Sequence, residues 1–165
     1  MKRALPLKDI TVTAIASAVL IAVQVSLSLI PNVELVTLLV ILYTLYLGKK
    51  TLFVIYIFAV VQGFIYGFHI WWLTYLYVWT LLYFVVQAVK TGRSVLFWSA
   101  AAAVYGLFFG VLTSVPYFLT LGTIGGIAHI LAGIPFDLVH CAGNFFTVLV
   151  LFPPLDAVFK KIFPP

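Results

Sequence analysis

The chain has 165 residues, 65% of them hydrophobic and only 8% charged, whereas soluble domains are roughly 45–50% apolar and about 25% charged; water is thereby excluded as its main solvent. The net charge of +5 is spread in clusters of two or three basic residues at the ends of apolar runs, a pattern of membrane topology and not of nucleic-acid binding. The single cysteine, Cys141, excludes an intrachain disulfide and a Cys-rich metal site, and six spans of roughly 20 residues each leave no room for a soluble catalytic domain.

Charge-free stretches divide the chain. Met1-Lys2-Arg3 ahead of a long apolar run imitates a signal peptide, but the run is as long as a span and has no clear small-residue cleavage site, so it reads as a retained first helix over 10–30. Pro31-Asn32 closes it. A shorter second helix over 33–47 carries Glu34 near its start, and Gly48-Lys49-Lys50 ends it with a glycine and cations that suit the helix dipole. The third covers 51–68 and the fourth 70–89, with 90–93 before the next. From Ser94 to Phe136 there is no Asp, Glu, Lys or Arg, and Pro116, Gly122, Gly125, Gly126 and Gly133 interrupt the stretch. It divides into a fifth helix over 94–119 and a Gly-rich extracellular connection over 120–134. Pro135 then opens a sixth helix, 135–152, ahead of Pro153-Pro154.

Six spans place both termini on one side, and the basic residues agree. Lys2, Arg3 and Lys8 precede the first helix; Lys49 and Lys50, Lys90 and Arg93, and Lys160 and Lys161 fall at the other turns of the same face. A seventh crossing by the Gly-rich stretch would put Lys160 and Lys161 outside, which leaves that stretch as a connection or a short re-entrant helix. The expected fold is an all-α integral membrane protein: one domain over 1–165, a compact bundle of six transmembrane helices, with N and C termini cytoplasmic.

An ionisable group at the centre of a span costs ~2.5–3.5 kcal/mol on insertion scales, so each one needs a reason. Asp137, His140, Cys141 and Asn144 recur at spacings of three, four and seven and share one face of the sixth helix. They either line a ligand site or complement the helix dipole and bond to neighbouring helices. Glu34 is equally open between a pocket and a helix start favoured by a carboxylate. Gln62, Tyr66 and His69 form a second polar stripe on the third helix, as a pocket wall or an interhelical seam. Trp71 and Trp72 fit an interfacial belt, while Tyr75 and Trp79, four apart and deeper, could stack on a flat ring. Carboxylate, imidazole, amide and indole groups together suit a small polar aromatic molecule. On the first helix Ala14, Ala18 and Ala22 repeat every fourth residue, a smooth groove for close helix approach, within the chain or by a partner.

Enzymatic signatures are missing from the sequence. There is no Gly-x-x-x-x-Gly-Lys phosphate loop, no Gly-x-Ser-x-Gly elbow and no His-Glu-x-x-His. The histidines His69, His129 and His140 with Asp137 offer only one recognised ligand spacing, Asp137 to His140, so a membrane-embedded metalloenzyme is the weakest reading and no metal is expected. A stand-alone secondary carrier or channel for a small polar solute is the alternative to a binding subunit.

These residues resemble the S components of energy-coupling factor transporters, the vitamin-uptake systems of bacteria and some archaea, over nearly the whole chain. The resemblance rests on the Ala14/Ala18/Ala22 repeat, on Pro31-Asn32-Val33-Glu34-Leu35-Val36-Thr37, on Gly133-Ile134-Pro135-Phe136-Asp137-Leu138-Val139-His140 with Gly143-Asn144, and on Pro153-Pro154-Leu155 near a basic tail. It implies a multi-pass protein of the bacterial plasma membrane that binds one vitamin or precursor in an outward-facing pocket of six helices. Members of similar sequence look like those for hydroxymethylpyrimidine, the thiamine precursor, or pyridoxine; riboflavin, folate, biotin, pantothenate and cobalamin stay open. The implied partners are a transmembrane T subunit, docked on Ala14, Ala18 and more loosely Ala22, and two ABC-type ATPases. Those ATPases use ATP and Mg²⁺, and this chain is expected to carry no cofactor and no catalysis of its own. The implied pocket residues are Glu34, Gln62, Tyr66, His69, Tyr75, Trp79, Asp137, His140 and Asn144.

Overall fold

The computed structural model describes residues 6–29, 34–90 and 94–164, and all regular structure in them is helical. Lys2, Arg3, Pro31, Asn32, Val33 and Arg93, used above for charge and helix boundaries, lie outside the described residues. Helix α1 (Leu7–Leu27) starts directly after Pro6, which is itself in an extended conformation (φ −62°, ψ 142°). Helix α2 (Val36–Leu47) stops at Gly48 and α3 (Lys50–Tyr66) at Gly67, each at a positive φ of 57° and 89° that favours glycine. Then come α4 (Ile70–Tyr75), α5 (Val78–Val89), α6 (Val95–Leu107), α7 (Phe109–Thr113) and α8 (Val115–Ile162). Ser94 caps α6 by accepting the Phe97 N–H at 3.2 Å.

Helix α2 is the centre of the molecule. Every residue from Val36 to Thr44 is buried, and α1, α3, α5 and α8 all pack on it. A helix apolar all round is suited to a core, and its polar groups find partners: Tyr43 donates to the Ala16 carbonyl of α1 at 3.1 Å and Thr44 to the Val40 carbonyl one turn back at 2.6 Å. Cross-links fix the direction of each helix. Lys50 pairs with Asp9, Tyr46 bonds Asp156, and the Gln87 amide reaches the Thr44 carbonyl at 3.4 Å. The start of α1, the α2/α3 junction, the end of α5 and the end of α8 therefore share one end. Lys160 closes that end on Asp156 at 2.6 Å.

Among the described residues, three stretches are long and apolar enough to cross a membrane: Leu7–Leu27, Ile70–Val89 and Val115–Ile162. The helices over 36–47, 50–66 and 95–107 are apolar but shorter.

Several expected boundaries change. The second helix begins at Val36, not at 33, and Glu34 stands ahead of it. The expected helix over 70–89 breaks at Leu76 and Tyr77, where the Tyr77 N–H bonds back to the Thr74 carbonyl at 3.2 Å. The expected helix over 94–119 is stepped at Phe108 and Ser114 into α6, α7 and the start of α8. The largest correction concerns 120–134, expected as a connection. Apart from Gly122 (φ 69°, ψ −171°), where two helical arms meet, it is helical and runs on through Pro135. Pro135 does not open the sixth helix, and that helix ends at Ile162, past Pro153 and Pro154, not at 152. Glycine costs only ~1 kcal/mol in a helix relative to alanine, and here close packing offsets it. Gly126 is covered by the Phe118 ring and Gly133 lies against Gly110.

Candidate functional site

The long arm of α8 presents one inward stripe, with Asp137, His140, Asn144, Val148 and Phe152 buried in succession. Its first three members are polar, as the spacing predicts, and none of them faces outward. His140 Nε2 lies 3.2 Å from Glu34 Oε1, while Glu34 Oε2 accepts the Thr37 N–H at 2.8 Å. One carboxylate thus both caps the first turn of α2 and ties α2 to α8. Asn144 continues the seam, donating to the Thr37 hydroxyl at 3.4 Å and to the Ala102 carbonyl of α6 at 3.3 Å. The contact is close because Gly106 of α6 has no side chain: a Cβ there would stand 2.9 Å from the His140 carbonyl carbon.

Asp137, one turn nearer the Gly122 apex, is differently placed. It is 8% exposed, and both its oxygens receive the same donor, the Gly110 N–H, at 2.9 and 3.1 Å. It stands in the wall of a cavity of about 270 Å³ formed between α4, α7 and the two arms of α8. Trp71, Thr74 and Tyr75 of α4 form one side, and Phe109, Gly110, Thr113 and Tyr117 another. His129, Gly133 and Phe136 join Asp137 on the long arm. Phe136 is 57% exposed and marks the outer part of this wall. His129 is fixed from two sides: its ring stacks on Tyr117 with centroids 3.9 Å apart at 16°, and its Nε2 shares a 3.0 Å hydrogen bond with Thr113.

The expected site residues fall into three groups. Tyr75 and Asp137 line the cavity. Glu34, His140 and Asn144 form the seam beside it; Phe109, which lines the cavity, packs edge-on to His140 at 4.8 Å. Trp79 packs on Tyr75 and Phe109, each with centroids 5.8 Å away, as a support behind the wall. The remaining three lie elsewhere. Gln62 is buried in the α3 core with its amide nitrogen unpartnered, Tyr66 is 43% exposed against Trp71, and His69 is exposed in a shallow depression with Trp71 and Trp72. The stripe expected on α3 therefore does not form one wall. Ala14, Ala18 and Ala22 all lie on the exposed side of α1, whose buried residues are Ala16, Ser17 and Leu20.

Sequence reasoning missed Phe109, Thr113 and Tyr117, grouped His129 with Asp137 only in the metalloenzyme reading, and did not connect Gly133 to them. The signal was present: 109, 113 and 117 are four apart, as are 129, 133 and 137. Among the described residues, no three His, Cys, Asp or Glu side chains are grouped so as to hold a metal ion.

Three apolar helical stretches of membrane-crossing length, with all regular structure among the described residues helical, point to a multi-pass membrane protein. The chain matches no protein-family model, and no curated protein or solved structure matches it significantly.

Proposed function

We propose that this protein is a substrate-binding S component of an energy-coupling factor importer, a six-span subunit of the bacterial plasma membrane with both termini cytoplasmic. It captures a small vitamin or vitamin precursor and delivers it inward together with a T subunit and two ABC-type ATPases. The observation that carries this reading is the buried Asp137 carboxylate in the wall of a small, mostly aromatic cavity, at the end of the bundle opposite the lysine clusters. Ligand sites combine such apolar walls with a few placed polar groups. The alanine face of α1, left uncovered by the chain itself, fits a helix of a partner subunit. The volume favours hydroxymethylpyrimidine or pyridoxine over riboflavin, folate or cobalamin.

A stand-alone carrier is the second reading, favoured by the Glu34–His140 pair, since ionisable pairs inside membrane proteins mark proton relays. Two measurements separate them. Mass spectrometry of the purified chain should find a stoichiometric small molecule, and liposomes should accumulate it only when the T subunit, the ATPases and ATP are present. Uptake by this chain alone, without ATP, decides for the carrier; absence of any bound molecule counts against both.

A further inference from the structure

We propose that the cavity selects a single-ring organic cation and rejects compounds that carry a carboxylate, an inference that rests on the cavity being the ligand site of the receptor reading. The first observation is an imbalance of charge. An ionised carboxylate has room for about four hydrogen bonds, yet Asp137 receives one N–H, shared between its two oxygens. Among the described residues, no Lys or Arg lines the cavity. The one imidazole in the wall, His129, is already committed to Thr113 and Tyr117. A buried charge needs a partner, and among the described residues lining the cavity no side chain hydrogen-bonds or ion-pairs with this carboxylate. A ligand with N–H groups and a positive charge completes the site, whereas an anion would meet the carboxylate at close range in a poorly solvated space.

The walls make the same choice. Trp71, Tyr75, Phe109, Tyr117 and Phe136 surround the carboxylate with aromatic rings, whose faces attract cations and stack on flat rings. Size sets the other limit. Sites for drug-sized ligands occupy roughly 300–1,000 Å³, and a cavity of about 270 Å³ lies just below that range, which suits a compound built on one substituted ring. Gly110 holds the geometry: a Cβ there would fall 2.5 Å from Asp137 Oδ2, so only glycine lets its own N–H reach the carboxylate.

An isosteric series of probes tests this on the full chain in detergent, freed of any bound molecule by dialysis. Benzamidinium, benzamide and benzoate share one ring and nearly one shape but differ in charge. Calorimetric titration should show benzamidinium binding at least tenfold more tightly than benzamide, with benzoate not binding. In Asp137→Asn, which keeps an acceptor for the Gly110 N–H, benzamidinium and benzamide should come within threefold of each other. Equal or tighter binding of benzamide or benzoate to the unaltered chain overturns the inference, whether or not the variant folds. A carboxylate-bearing molecule found by mass spectrometry in the purified protein also overturns it, while leaving the receptor reading intact. Failure of all three probes, with no molecule co-purifying, overturns both.

Discussion

Gly110 and Gly133 face each other across the contact between α7 and α8, and the space around each is different. A Cβ on Gly110 would lie 2.5 Å from Asp137 Oδ2, while one on Gly133 would meet nothing nearer than the Gly110 Cα at 3.7 Å. Gly110→Ala is expected to push the carboxylate aside and weaken ligand binding at least tenfold. Gly133→Ala, an ordinary contact with better helix propensity, should hold or raise the thermal melting point of the purified protein. A melting point lowered equally in both variants would show that the two positions are not distinguished by space. At this scale the sequence was half legible. Asp137, His140 and Asn144 could be placed together from spacing alone, because an inward polar stripe is the one arrangement a spanning helix tolerates. Glu34 showed its capping role but not its bond to His140, since the partners are 106 residues apart. Gln62, Tyr66 and His69 misled because a four–three spacing sets a common face without saying what that face meets.

At the level of elements, the division at Gly122 is the point where one residue decides the architecture. Its φ of 69° with ψ of −171° lies in a region used almost only by glycine and costs other residues of order 1–3 kcal/mol. A side chain there would find open space, so any penalty comes from the backbone. Gly122→Val should therefore lower the melting point measurably, and it should speed hydrogen exchange over 115–135 without disturbing α1 to α3. Unchanged exchange across that region would remove the strained turn from the account. The helix ending in Gly48 was readable because a glycine and the cations Lys49 and Lys50 closed its apolar run. The segment 120–134 was not, since glycine and proline signal loops in water but are accommodated in helices that neighbours cover. Reading it as a connection also hid the repeat of His129, Gly133 and Asp137, and with it most of the cavity.

For the whole molecule, the all-helical class and the common end of the basic clusters followed from composition and charge distribution, because few solutions exist for a chain so poor in polar residues. The two ends now carry different work. Asp9–Lys50, Tyr46–Asp156 and Asp156–Lys160 clasp one end, and the cavity occupies the other. The exposed alanine side of α1 runs outside both. On the proposed receptor reading, Ala18→Trp should leave ligand affinity unchanged within twofold and abolish ATP-driven uptake in liposomes that also contain the proposed T subunit and ATPases. Undiminished uptake would move the partner surface off α1.

The enclosed position of α2 has a consequence for how the protein is made. With twelve residues it is far shorter than the ~30 Å hydrocarbon layer, so its ends and its polar groups lack their packing partners until its neighbours arrive. During synthesis, α3 and α5 emerge after it and α8 last of all. The nascent chain must therefore keep its future core waiting, with Thr37 and the Glu34 carboxylate lacking their partners on α8 until the final helix closes over them.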